Sequence, residues 1–543
     1  MIFLGPHIRN GWVFQYLRIF YRIFFLIRPR ISRQLKITTS HQKNINRIRI
    51  LLPLIEASHY QYYQLLIIAK ALKLRGAEVK VLLCNSELEG CEIKSVKNNK
   101  KTPCLECKMN SKYLVPVFNL DTINLSDLCN PEEKAGLRLL SSEIANNYPK
   151  SFIYKSIEII PTVNDSVTRY FYGAVPEDDV DALIKTRKKF LYSMLLGIKC
   201  SLRIQKEWNP DVVFGSMNVY VDWAPYHKMQ KNLGKRVCTV SITPFNYHSI
   251  VLNTNELYAG PGRFNRWMEA RNYQELTSNE ISELRGVSSI RSSGNLEAFK
   301  RFGFFDNSKS LHNFLHIDSS KRNLFLFTNI YWDVGVSESG RLYEGVIDWV
   351  FESIRIVIDQ PDVCLYIKTH PAEVYDTSES LKGVRDFINE EFPVLPANVF
   401  LIYPELKINT YELFPFIDAG IVYNGTVGLE MAMQQIPVIV TGRSPYSGIG
   451  LVNEPETVEL YKEQILGSKP LSMPDKILVD LFAYFYFIKS CIPWNLTKSA
   501  YSDDFKSFSI NSLEDIMEGK NPYLDHLCNV ITDVEHQSPE NWV

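Results

Sequence analysis

Lys368, His370, Asn424, Gly425, Thr426, Glu430 and Arg443 stand close together in the chain, and each has chemistry suited to a phosphorylated ligand. Lysine and arginine neutralise phosphate charge, and histidine can donate to it as charge develops on a leaving group. The Asn424-Gly425-Thr426 run precedes a helical pattern, so its backbone N–H groups and hydroxyl form a turn suited to phosphate oxygens. Glu430, four residues after Thr426, lies about one helical turn further on, where a carboxylate can accept from two ribose hydroxyls. A phosphate cradle, a ribose acceptor and a nearby cation describe a nucleotide joined to a sugar.

Three strands and a helix must position these groups. The run Cys364-Leu365-Tyr366-Ile367-Lys368 is apolar and ends at Thr369-His370-Pro371, where the proline keeps His370 out of helical geometry. Ala419-Gly420-Ile421-Val422-Tyr423 predicts a second strand, broken at Asn424-Gly425-Thr426. A helix follows, with Leu429, Ala432, Met433 and Ile436 at i, i+3, i+4 and i+7. Ile436-Pro437-Val438-Ile439-Val440 predicts a third strand, ending in Thr441-Gly442-Arg443. Strand, loop, helix and strand in that order make a parallel α/β unit, which collects ligands at the carboxyl ends of its strands.

The ordered set resembles the nucleotide-binding half of bacterial capsule and surface-polysaccharide glycosyltransferases of the two-Rossmann-domain (GT-B) type. His370-Pro371 is similar to that family's His-Pro motif, Thr426 to its Ser/Thr phosphate motif, and Pro445–Leu451 to its Tyr-x-x-x-Gly-Leu/Phe segment. Phe327-Thr328-Asn329-Ile330-Tyr331-Trp332-Asp333 and Asp348-Trp349 look like its Thr-Asn-x-x-Trp-Asp and Asp-Trp motifs. The resemblance spans residues 320–465 and continues more faintly over 45–250. It implies an α/β chain with two Rossmann-like domains facing across a cleft, and adds Asn329 to the donor-binding set.

The first of those domains begins with a strand at Ile48–Leu54, a loop over Ile55–Tyr60, a helix over Gln61–Arg75 capped by Gly76, and a strand at Val79–Cys84. No G-x-G-x-x-G follows the first strand, which disfavours dinucleotide binding. Under the resemblance this loop faces the cleft, so Glu56 and His59 are its candidate base or acceptor contacts. Further strands are expected at Asp211–Gly215 and Val237–Thr243. Pro244–Leu296 is expected to cover the cleft, and residues 108–205 read as polar and helical, without evident chemistry.

The chain has 543 residues and zero formal net charge, unevenly spread. Residues 1–50 hold ten Lys or Arg and no acid, so the remaining residues carry 50 basic against 60 acidic groups. Residues 12–27 are apolar and aromatic around most of a helix, with Gln15, Arg18 and Arg22 as one polar stripe. That is too short for a span and lacks the order of a secretory signal. It fits an amphipathic helix lying on an anionic membrane surface. Nothing points to nucleic acid.

Cys84, Cys91, Cys104 and Cys107 follow the second strand with one C-x2-C pair, a set that could hold a structural zinc or remain free thiols. The expected organisation is a membrane-associated segment (1–44), an acceptor domain (45–318), a nucleotide-sugar domain (319–470) and C-terminal helices returning to the first domain (471–543). The expected function is metal-independent transfer of a sugar from a nucleotide-sugar to a lipid-linked or growing surface glycan, at the inner face of the cell membrane. The alternatives are a polyol-phosphate transferase, a sugar-nucleotide 2-epimerase, and an inactive assembly protein.

Overall fold

The computed structural model describes residues 48–55, 61–97, 103–243, 248–255, 260–293, 317–333, 340–343, 345–374, 379–497 and 509–532. The aromatic helix expected over 12–27, Glu56 and His59 lie outside the described residues. Among the described residues no helix is long and apolar enough to cross a membrane.

Two α/β units make up the fold. The first sheet contains β1 (Arg49–Leu54), β2 (Glu78–Leu83), β3 (Asp121–Asn124), β6 (Val212–Gly215), β7 (Arg236–Ile242), β8 (Ser249–Thr254) and β14 (Ile492–Pro493); β4 (Ile153–Tyr154) and β5 (Ile157–Glu158) form a separate hairpin. Its spatial order is β14-β8-β7-β6-β1-β2-β3, with the β7–β8 and β8–β14 pairs antiparallel and the rest parallel. The second sheet is parallel throughout: β9 (Arg322–Phe327), β10 (Val363–Lys368), β11 (Val399–Ile402), β12 (Ala419–Val422) and β13 (Val438–Val440), in the order β11-β10-β9-β12-β13. Numbered by chain order, the parallel strands of both sheets run 3-2-1-4-5, the doubly wound arrangement whose order reverses at a crevice beside the first strand.

The sequence dictates the second sheet directly. A parallel sheet is covered on both faces, so its strands read as continuous apolar runs. In β10 the alternation sends Leu365 and Ile367 to one core with Val350 and Ile354, and Cys364 and Tyr366 to the other with Leu429 and Met431. The Tyr366 ring stacks between Phe325 and Phe400, with centroids 4.6 and 4.9 Å away. The family-like Trp349 is fully buried in the first of these cores, where its indole N–H donates to Tyr461 Oη at 3.0 Å.

Several elements depart from the sequence reading. Residues 108–205 are not mainly polar: the helix Val180–Glu207 buries Phe190, Leu191, Met194, Leu195 and Ile198 against the first sheet's core, its charged flank having masked a long apolar stripe. The helices Pro261–Ala270 and Ser278–Ser292, expected with the first domain, send Phe264, Trp267, Met268 and Leu284 into a core of the second unit. There they meet Phe482 and Phe485, from the helix Lys476–Tyr484 and the turn after it. The chain then crosses to the first unit. Strand β14 pairs with β8, and the helix Pro522–Thr532 packs Leu524, Leu527 and Ile531 into the first core, with Arg75 paired to Asp525.

Candidate functional site

The order of the second sheet reverses between β9 and β12, and the residues that leave those strands meet there. Asn329 Nδ2 donates to Asn424 Oδ1 at 2.7 Å, while Asn329 Oδ1 is buried with no hydrogen-bond partner among the described residues. From β10, the Lys368 carbonyl accepts from Thr328 N at 3.0 Å, and His370 N donates to Thr328 Oγ1 at 3.1 Å. Lys368, His370, Asn329 and Asn424 thus gather on one carboxyl edge.

Two groups there have unusual acid–base character. The Lys368 side chain is 4% exposed, and no carboxylate pairs with it among the described residues. Burial pushes its pKa down to about 8. His370 is pushed down to about 4, chiefly by burial; the Asp333 carboxylate opposes this and Lys368 reinforces it. The ring is therefore neutral at pH 7. Its Nδ1 accepts from Ala372 N–H at 3.1 Å, which leaves the ring proton on Nε2 as a donor.

The half-buried turn Asn424-Gly425-Thr426 follows β12, and Thr426 is the N-cap of the helix Val427–Met433 without spending its hydroxyl on a capping bond. That helix is shorter than the periodicity suggested, because Gln435 adopts a left-handed backbone (φ 60°) and leaves Ile436 outside it. The turn is fastened from the family-like segment 445–451: Tyr446 Oη donates to the Gly425 carbonyl at 2.6 Å. A Cβ on Gly428 would collide with the Tyr446 hydroxyl and come within 3.0 Å of Val422 Cγ2. Gly428→Ala is thus expected to displace Tyr446 and cost about 1–3 kcal/mol, read as a lower urea midpoint with unchanged slope.

Glu430 departs from its expected role. It is 9% exposed, and its Oε1 accepts from Arg291 Nε at 2.9 Å and also from Arg291 Nη2. Its Oε2 accepts from Tyr411 Oη at 2.9 Å. Both oxygens are committed to protein partners, so the ribose contact predicted for Glu430 is not what this arrangement serves. It joins the helix Ser278–Ser292 to the helix Val427–Met433. Arg443, at the end of β13, is exposed and joins none of these bonds.

A contribution from the first unit was not visible in the sequence. Arg169, on the helix Ile160–Tyr170, pairs with Glu92 at 2.6 Å and reaches Asp333 of the second unit at 3.4 Å, with its guanidinium 5.8 Å from the Trp332 ring. Trp332 meets Tyr172 edge-on at 4.9 Å and donates to Ser380 Oγ at 2.8 Å, and Tyr331 Oη donates to the Gly173 carbonyl. The Trp332-Asp333 segment is therefore one clasp between the units, beside the Lys97–Glu379 ion pair. Beside it opens a cavity of about 610 Å³ lined by Asn164, Asp165 and Thr168 on one side and Trp332, Arg341 and Asp348 on the other.

Of the two alternatives the spacing left open, the four cysteines are not gathered into a zinc site in this arrangement. Cys84 and Cys91 pack against one core of the first unit and Cys107 against another. Among the described residues no group of three or more His, Cys, Asp or Glu is placed to hold a metal ion. The chain does contain one Asp-x-Asp run, Asp179-Val180-Asp181. It opens the helix Val180–Glu207, where Asp179 accepts from Ala182 N at 3.0 Å as the N-cap.

Residues 297–476 match the family described as capsule polysaccharide biosynthesis protein, so the resemblance drawn from the motifs holds over that part of the chain. No curated protein matches the chain. Among solved structures it is similar to a Thermosulfurimonas dismutans KpsC, beta Kdo 2,4 transferase, at 14% identity and a TM-score of 0.33, over 51% of this chain and 79% of that one. It is also similar to the glycosyltransferase SnogD from Streptomyces nogalater, at 15% identity and a TM-score of 0.21, over 82% and 95%. Scores this low do not bear on the reaction.

Proposed function

We propose that the chain is a glycosyltransferase of capsule or other surface-polysaccharide synthesis, taking a sugar from a nucleotide-sugar whose phosphates bind at the carboxyl edge of the second sheet. The observation that carries this reading is Lys368, an ammonium buried at the end of β10 with no carboxylate beside it among the described residues. A buried cation is costly unless paired. A phosphate oxygen would supply the missing charge, and the carboxyl edge beside a reversal of strand order is where such sheets collect nucleotides.

The geometry supports a role for each group. As the sugar–phosphate bond breaks, negative charge grows on the departing nucleotide. The Lys368 ammonium, the His370 Nε2–H and the open turn at Thr426 supply donors there without reorganising. Arg443 supplies a further positive charge from the end of β13. The Trp332–Arg341 cavity between the units is the space for the transferred sugar and the glycan that receives it. The transfer proceeds by this electrostatic assistance, without a metal. Residues 1–44 would hold the enzyme on the inner, anionic face of the cell membrane, where a lipid-linked acceptor is presented.

A thermal-shift screen of the whole protein against CMP, CDP, UDP and GDP tests the reading. One nucleotide should raise the melting temperature in a concentration-dependent way, by mass action on the native state. No shift with any of them at millimolar concentration would contradict a nucleotide-sugar donor.

A further inference from the structure

The first unit holds a second cavity, of about 360 Å³, between the helix Tyr220–Asn232, strands β7 and β8 and the β4–β5 hairpin. That volume lies at the lower end of small-ligand sites. Two buried side chains in its wall each have a polar atom with no hydrogen-bond partner among the described residues: His227 Nε2 (3% exposed) and Asn253 Oδ1 (5% exposed). His227 Nδ1 lies 3.0 Å from the Trp223 carbonyl. A carbonyl only accepts, so Nδ1 carries the ring hydrogen and Nε2 presents a lone pair. Burial pushes the His227 pKa down to about 4, so the ring stays neutral at pH 7.

The wall therefore offers acceptors, and native proteins seldom leave buried acceptors unmatched. Their natural complements are hydroxyl groups. The outer part of the same cavity has Lys228 and the exposed Lys231. The carboxylate in the wall, Glu158, already accepts from Ser151 Oγ and from the Phe152 and Ile160 amides, each of these at 3.0 Å. Those bonds fix Glu158 without neutralising it, and against the two lysines the rim keeps a net positive charge that favours an anion.

We infer that this cavity binds an acidic, polyhydroxylated small molecule, a sugar acid or sugar phosphate, with hydroxyls donating to His227 Nε2 and Asn253 Oδ1 and its anionic group facing Lys228 and Lys231. The inference is independent of the donor site on the second sheet.

The test is calorimetric titration of the full chain with glucuronate, glucose 6-phosphate and glucose. At least one acid should bind with a Kd below about 1 mM, and glucose should bind at least several-fold more weakly. Binding of glucuronate alone marks a carboxylate ligand, and of glucose 6-phosphate alone a phosphorylated one; either supports the site. Lys231→Glu, at an exposed position, should weaken the acids several-fold without weakening glucose, and Asn253→Leu should abolish binding of all three. Should Asn253→Leu fail to fold, the ¹⁵N resonance of His227 Nε2 in the wild type replaces it, and must move on addition of the acid. Absence of binding by either acid, equal binding of glucose, wild-type affinity in Lys231→Glu, or an unmoved His227 resonance would overturn the inference.

Discussion

Glu430→Ala is expected to destabilise the protein by about 3–5 kcal/mol, the scale of leaving one partner of a buried ion pair uncompensated. Arg291 is 5% exposed, with its guanidinium held by the Glu430 carboxylate and 4.7 Å from the Phe487 ring centroid. Burial alone would lower the Arg291 pKa, and the neighbouring carboxylate reverses this. A guanidinium keeps its proton at neutral pH, so removing Glu430 leaves a buried charge without its counter-ion. Truncating Glu430 also strands the Tyr411 hydroxyl that donates to it. The double change Arg291→Met, Glu430→Leu removes both charges and should recover much of the loss, since buried pairs are often replaceable by apolar groups of similar volume. Urea unfolding of the two variants and the wild type checks this. Equal stability of Glu430→Ala and wild type would show that Glu430 is not the tie between the two helices.

The second large effect is on turnover. His370→Ala should lower kcat by about 10²–10³, the scale of losing one preorganised donor to developing charge. It should change the apparent donor KM less, because the contact strengthens as charge develops. Folding should survive, since the ring is half-buried and the backbone bond from His370 N to Thr328 is kept in the variant. Steady-state rates with the nucleotide-sugar identified by the screen give the answer. An unchanged kcat would remove His370 from the reaction.

What could be read from the sequence divides along a physical line. The strands ending at Lys368, Val422 and Val440 were legible because a doubly covered parallel sheet demands unbroken apolar runs, and Pro371, Asn424-Gly425 and Gly442 interrupt them. Local periodicity carries no information on distant pairing. Arg291 and Glu430 are 139 positions apart, and Arg169 and Asp333 are 164 apart. Glu430 stood where a ribose ligand would, one turn into a helix, and only the Arg291 pairing from the helix Ser278–Ser292 shows the charge to be already matched. The cysteines show the same limit, since their spacing left zinc and free thiols equally open. Spacing along the chain placed them together, while the fold assigns Cys107 and the Cys84–Cys91 pair to different cores. Strand β3 and the β4–β5 hairpin are too short to declare a period at all.

The central claim is that the buried Lys368 ammonium awaits the phosphates of a nucleotide. Calorimetric affinity for the preferred nucleotide, measured for wild type and Lys368→Met from pH 7 to 9.5, tests it most directly. A bound phosphate favours the charged lysine, so its pKa rises on binding. Above about pH 8, the value to which burial lowers the free site, binding must take up a proton and wild-type affinity should fall. Lys368→Met should bind about 10–100-fold more weakly at pH 7, the worth of one charge-assisted hydrogen bond, and show a flatter pH profile. Equal affinity of the two proteins at pH 7, with the same profile to pH 9.5, would contradict the claim.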